Sequence, residues 1–238
     1  MTSQKYRIVL ADIPWEYANR FDTRKDNPYK KNRFGVGVAS RYSKGVEKDE
    51  YLKLLGEKIK AVSAEDAYLF FWATCPRLND AFSIIESWGF EYVTVAFNWI
   101  KINKNSGTPF SGPGFYSFSN CEPVLLAKKK NKPCWNKNDK GCYKPNQIIM
   151  EPHPRDENGK IIHSRKPETL HLELEKWLGP YIGEGKMLEL FATQKREGWT
   201  CLGHAISGKT IDVELDEIIA STFDPQGGHE NNVSGILN

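Results

Sequence analysis

Four consecutive residues, Asp12-Ile13-Pro14-Trp15, carry the densest chemistry in the chain. They follow the apolar run YRIVLA, so the carboxylate stands where a short buried strand would finish. Such a set suits an exocyclic amine on a flat heterocycle. The nitrogen of that amine is a poor nucleophile, because its lone pair is delocalised into the ring. A catalyst must hold the NH2 with acceptors and let the nitrogen pyramidalise. Asp12 offers a carboxylate, and the backbone carbonyl of Ile13 offers a second acceptor. Pro14 disfavours the helical region for the residue before it and pushes Ile13 into an extended shape. Trp15 supplies a flat face on which a base can stack. The same four residues also fit a strand end, a proline turn and a core tryptophan, so the rest of the chain has to decide.

The elements that must position these residues follow from periodicity. Residues 46–62 place Tyr51, Leu52, Leu55, Ile59 and Val62 at helical spacing. AYLFFWA, 67–73, is the continuous apolar run of a strand buried on both faces. RLNDAFSIIESWGF reads as a helix ended by Gly89. EYVTVAFNWIK (91–101) and EPVLLA (122–127) read as strands, separated by a Gly/Pro/Ser loop at 105–120. A basic loop and irregular chain are expected from there to about 163. PETLHLELEKWL (167–178) opens with a proline suited to a helix N-terminus. KMLELF (186–191) and WTCLG (199–203) read as strands, and IDVELDEIIASTF as a terminal helix.

Strands that alternate with helices imply an α/β fold with a mostly parallel sheet. A single domain is expected over residues 1–207, with long basic loops at 18–45 and 128–163. Residues 208–238 are expected as an extension, helical at first and disordered at its end. Ligands of open parallel sheets bind beyond the carboxyl ends of the strands. Asp12 and the run Glu189-Leu190-Phe191 both fall there.

Composition narrows the class. Five cysteines, none in a C-x-x-C pair, argue against a disulfide framework or a zinc site, and no metal is expected. Mean hydropathy is −0.56, no window resembles a membrane span, and the N-terminus lacks a signal-peptide core, so a cytoplasmic protein is expected. Net charge is only +3, but it is unevenly placed. RFDTRKDNPYKKNR (20–33) includes Lys30, Lys31 and Arg33. KKKNKPCWNKNDKGCYK (128–144) opens with Lys128, Lys129 and Lys130 and interleaves Trp135 and Tyr143. Basic loops with aromatics suit a nucleic acid, through its phosphates and its stacking bases. Two solvated surface loops are the plainer alternative.

The order Asp-x-Pro-Trp, FFWATCPRLNDAFSIIESWGFEYVTVAFNWIK, a Gly-rich loop, SNCEPVLLAKK, HSRKPE and ELFATQKREGWTCLG resembles one family along residues 6 to 206. That family is the DPPW-type adenine-N6 methyltransferases, which include the eukaryotic mRNA N6-methyladenosine writer and small bacterial and phage members. The resemblance implies a Rossmann-like fold with permuted motif order, the catalytic motif N-terminal and the cofactor strand C-terminal. It implies S-adenosylmethionine (SAM) as methyl donor and S-adenosylhomocysteine as product. Asp12, Ile13, Pro14 and Trp15 match the catalytic tetrad, with Asp12 and Ile13 also beside the cofactor. Tyr17, Lys101 and Glu122 match positions near the substrate. Ser164 and Lys166 match contacts to the carboxylate end of SAM, a role that suits a lysine point charge. Glu189, Leu190 and Phe191 match the cofactor-binding strand end, followed by Thr193, His204 and Ala205.

Three departures stand out. Ile13 replaces the first proline of the tetrad, a change that leaves the backbone carbonyl in place. Thr193 stands where many members have arginine, and His204-Ala205 replace residues that contact the ribose. The implied activity is methylation of adenine N6 in DNA. Adenosine methylation in RNA, or an inactive nucleic-acid-binding subunit of the same fold, are the alternatives. The protein would pair with itself or with a related subunit.

Overall fold

Alternation of side chains along the first strand sets out the architecture. In strand β1 (Tyr6–Ala11), Val9 and Ala11 enter one hydrophobic core, and Ile8 and Leu10 enter another on the opposite face. β1 therefore lies inside a sheet covered on both sides, which explains its continuous apolar run. The computed structural model describes residues 5–15, 48–112, 114, 116–129, 143–162, 165–182 and 187–223.

Among these residues the sheet has seven strands in the order β5-β3-β4-β2-β1-β6-β7. The others are β2 (Ser63–Trp72), β3 (Phe90–Ile102), β4 (Cys121–Lys129), β5 (Ile148–Pro152), β6 (Met187–Leu190) and β7 (Trp199–Leu202). β4 runs antiparallel to both β2 and β3, and the other pairings are parallel. The sheet is thus mixed, within an α/β fold that has helices on both faces.

The first core is closed by helices α1 (Lys48–Leu54), α2 (Gly56–Val62) and α3 (Leu78–Ser87), and by α6 (Ile211–Phe223). The second is closed by α4 (Thr169–Ile182), whose Leu170, Leu174 and Leu178 recur every fourth residue and are fully buried. Each such leucine contributes about 1.5–3 kcal/mol through burial. A short helix α5 (His204–Ser207) links β7 to α6.

Several elements differ from the sequence expectation. The helix expected over 46–62 is two helices that meet at Leu55-Gly56. Gly56 lies against the end of α3, where an added Cβ would sit 2.4 Å from the Ser87 carbonyl oxygen. Close packing of α2 on α3 thus uses the one residue that also weakens a continuous helix. Strand β5 was not expected, because QIIMEP is short, is followed by proline and lies at a sheet edge. The helix expected in the extension after 207 is built into the first core through Ile211 and Leu215, and its Asp212 accepts a 2.8 Å hydrogen bond from Tyr51. No helix among the described residues is long and apolar enough to cross a membrane.

Candidate active site

Five strands bring charged or aromatic residues to one end of the sheet, all on the α4 face. In β3, Phe97 and Trp99 belong to the second core, and Lys101 follows two residues later. In β4, Glu122 precedes the core residue Val124 by two. In β2, Phe70 and Trp72 share that face. Asp12 lies two residues beyond Leu10, and Glu189 two beyond Met187. The period of two along each strand therefore lines up Lys101, Glu122, Trp72, Asp12 and Glu189. β4 joins this row through its first residues because it runs the opposite way.

Lys166, three residues before α4, closes the row from above. Its Nζ lies 3.0 Å from Asp12 Oδ1, 3.2 Å from Glu122 Oε2, and 5.2 Å from the centre of the Trp72 ring. The other oxygen of Glu122 receives Lys101, whose ammonium also stands over Trp99 at 5.0 Å. Two ammoniums and two carboxylates thus alternate in a sequestered, charge-neutral chain. Burial favours the neutral form of Glu122, but Lys166 and Lys101 more than reverse this and hold its carboxyl below the ordinary glutamate value. Burial opposes the charge of Lys166 as well, and Asp12 and Glu122 overcome it, keeping the ammonium protonated. Asp12 differs. Burial raises its pKa, Lys166 opposes the rise, and Glu122 and Glu189 add to it, so its proton affinity exceeds that of an ordinary aspartate.

Lys166, which the family resemblance matches to a contact with the carboxylate end of SAM, is paired here with two protein carboxylates and bridges Asp12 to Glu122.

The rest of the tetrad straddles the sheet edge. The Ile13 side chain is buried in the first core, so the isoleucine in place of proline packs rather than lines the site. Trp15 is half-buried and fixed by several contacts. Its indole N–H donates to the Trp72 carbonyl at 3.3 Å, its ring meets Phe71 edge-on at 6.1 Å, and the Arg77 guanidinium stands 5.5 Å from its centre. Arg77 is in turn paired with Asp80 at 2.6 Å.

Beyond β6 the chain turns sharply. Phe191 adopts φ 63°, a left-handed conformation that costs a non-glycine residue about 1–3 kcal/mol. The turn lets the Ala192 N–H donate to the Leu202 carbonyl at 2.8 Å, and the Leu190 carbonyl accept from the Asp12 N–H at 3.4 Å. Gly203 passes so close to Ala192 that a Cβ would lie 2.1 Å from its carbonyl oxygen. Thr193 and Ala205 are exposed and His204 half-buried, all within two residues of this crossing. The carboxylate of Glu189 is buried beneath it, 3.1 Å from His171 Nε2 and 3.4 Å from Arg196 Nε. Sequence reasoning missed His171, Arg196, Trp72 and Arg77. Only Arg196, in the charged run QKRE beside the strand-end motif, offered a signal.

Lys128 and Lys129 do not join the site. Because β4 is antiparallel, its last residues lie at the opposite end of the sheet, roughly 13 Å along the strand from Val124. There Lys128 pairs with Glu91 at 3.5 Å, and Lys129 stands 4.7 Å over Phe90. Both were expected to contact the phosphates of the nucleic acid, and the fold places them away from the Asp12 end of the sheet. Tyr17, Lys30, Lys31, Arg33, Lys130 and Ser164 lie outside the described residues.

The residues at the strand-end turn fit a nucleoside-bearing methyl donor. Glu189 offers a buried carboxylate for hydroxyl donors, and the Ala192–Gly203 crossing brings bare backbone up beside it. Comparison with known proteins agrees with this geometry. The family model described as MT-A70 matches residues 6–205. The chain is 29% identical over 224 residues to the Type II methyltransferase M.MunI of Mycoplasma sp, covering 90% of this chain and 85% of that relative.

Proposed function

The chain belongs to the MT-A70 family, and from that premise we propose that it methylates the N6 amino group of adenine in DNA. The family and the M.MunI likeness make the protein a nucleic-acid methyltransferase with SAM as its methyl donor. Adenine as the base, and DNA as the polymer, are our reading. The likeness to a type II methyltransferase favours DNA.

The observation that carries the proposal is Asp12, fixed at the end of β1 by Lys166 and sharing its sheet face with Glu189. Asp12 and the Ile13 carbonyl accept the two hydrogens of the amine and turn its lone pair out of the ring plane. Trp15, with its N–H tied to Trp72, offers a ring of fixed orientation at the pocket edge. Glu189 would hold the ribose hydroxyls of the donor, and Leu190, Phe191, Thr193, His204 and Ala205 would surround it. SAM supplies a methyl group on a positively charged sulfur, reactive enough for a weak nitrogen nucleophile. The alkylated nitrogen must then shed a proton. Asp12, with its raised proton affinity, accepts that proton at the oxygen already bonded to the amine. The target base must leave the duplex to reach this edge.

Labelled-methyl transfer from SAM onto matched DNA and RNA oligonucleotides tests the reading. Incorporation into DNA, recovered as N6-methyladenine, supports it. Incorporation into RNA alone, or into cytosine, overturns it.

A further inference from the structure

We infer that His171 and Arg196 are positioning residues that fix Glu189 so that one of its carboxylate oxygens is presented to the ribose of the methyl donor. The inference rests on the reading of Glu189 as a ribose contact.

Every polar contact of Glu189 falls on the same oxygen. Oε2 lies 3.1 Å from His171 Nε2, 3.4 Å from Arg196 Nε and 4.0 Å from Cys201 Sγ. Oε1 is left uncommitted among the described residues. A carboxylate gripped on one side only has its second oxygen fixed in direction and free to accept, which is what a sugar hydroxyl requires. Glu189 stands beside the end of β1, paired in register with Leu10, and the Asp12 N–H meets the Leu190 carbonyl.

The grip is itself braced from α4 and its N-terminal approach. Arg196 is also paired with Glu168, one residue before α4. His171 is 2% exposed and meets the Trp199 ring edge-on at 5.2 Å. The Trp199 indole N–H donates to Glu175 at 2.7 Å. Glu168, just before α4, and His171 and Glu175, within it, thereby set the chain from Arg196 to Trp199 against Glu189. His171 Nδ1 is buried with no hydrogen-bond partner among the described residues. That favours the neutral tautomer with its proton on Nε2, donating to Oε2. An arrangement built only for stability would gain as much by sharing its donors between both oxygens.

The test is a double-mutant cycle read by calorimetric titration of SAM into the full-length protein, without nucleic acid. His171→Asn is expected to weaken SAM about tenfold, the size of one hydrogen bond to a charged group, and Arg196→Ala, whose Nε meets Oε2 as an ion pair without a hydrogen bond, by a similar factor. In a Glu189→Ala background both are expected to change affinity less than twofold, because the carboxylate they orient is gone. Arg196→Lys, which keeps the charge, is expected within about threefold of the parent, and Arg196→Gln, which removes it, stands in if Arg196→Ala fails to fold. Equal weakening in the two backgrounds, or none in the parent, overturns the positioning role while leaving Glu189 as a ribose contact. If Glu189→Ala itself binds SAM like the parent, the ribose reading and this inference fall together.

Discussion

Replacing Glu122 by glutamine tests the charge chain at its centre. Glu122 is the only carboxylate in contact with both Lys101 and Lys166 among the described residues, and its side chain is 17% exposed. Coulomb's law at an effective dielectric near 20 gives about 5 kcal/mol for one contact at the 3.2 Å seen with Lys166. Part of that offsets the cost of desolvating the groups. Removing one member of a buried ion pair costs about 3–5 kcal/mol in total, because the partners stay buried and unpaired. For a chain of this size that is a fall in Tm of roughly 6–20 °C. The pH dependence gives a second signature. The folded pKa of Glu122 is depressed, so its stabilisation is complete above the ordinary glutamate value of 4.5 and is lost as pH falls through the lower folded value. The gap between parent and Glu122→Gln should therefore be constant near neutrality and shrink on acidification below pH 4.5. Adding Lys101→Met restores charge balance and should recover part of the loss. Urea unfolding of the four proteins of this cycle measures all of it. A Glu122→Gln protein within about 0.5 kcal/mol of the parent, or strictly additive effects, would refute the reasoning.

Three further outcomes are expected. Asp12→Asn should keep or slightly raise Tm while abolishing methyl transfer, because the folded environment disfavours the Asp12 charge; thermal unfolding beside an activity assay checks both halves. The acid limb of the methyl-transfer pH profile should lie above the ordinary aspartate value of 3.8, and Lys166→Met should move it further towards alkaline pH, since Lys166 is the group that lowers the Asp12 pKa. Gly203→Ala should destabilise the protein by about 2 kcal/mol or more and weaken SAM, because its Cβ would meet the Ala192 carbonyl oxygen at 2.1 Å; denaturant unfolding and titration calorimetry read the two effects.

Much of the site was legible in order but not in space. Asp12 and Glu189 stood out because each sits at the end of an apolar run of strand length, whereas Glu122 was marked by the family resemblance alone. That Lys166 would bridge Asp12 and Glu122 depends on β4 running backwards beside β2, a register that one-dimensional periodicity does not give. The same reversal puts Lys128 and Lys129 at the far end of the sheet from Asp12. A basic run that starts inside a strand carries no mark of which sheet edge it will reach. His171 was hidden for another reason. On α4 it lies next to Leu170 and looks like a face residue, and only its 3.1 Å approach to Glu189 separates it from one. Gly56 was read as part of a helix because apolar spacing continues through it, while its function is to admit the Ser87 carbonyl.

Asp12, presented by Lys166 at the end of β1, is proposed to enable methyl transfer to adenine N6. Incubating duplex DNA with isotopically labelled SAM and either the parent or Asp12→Asn, and quantifying labelled N6-methyladenine by nucleoside mass spectrometry, tests this. Labelled N6-methyladenine is expected with the parent and none above background with a folded, SAM-binding Asp12→Asn. Equal label from both proteins, or label on another base, would contradict it.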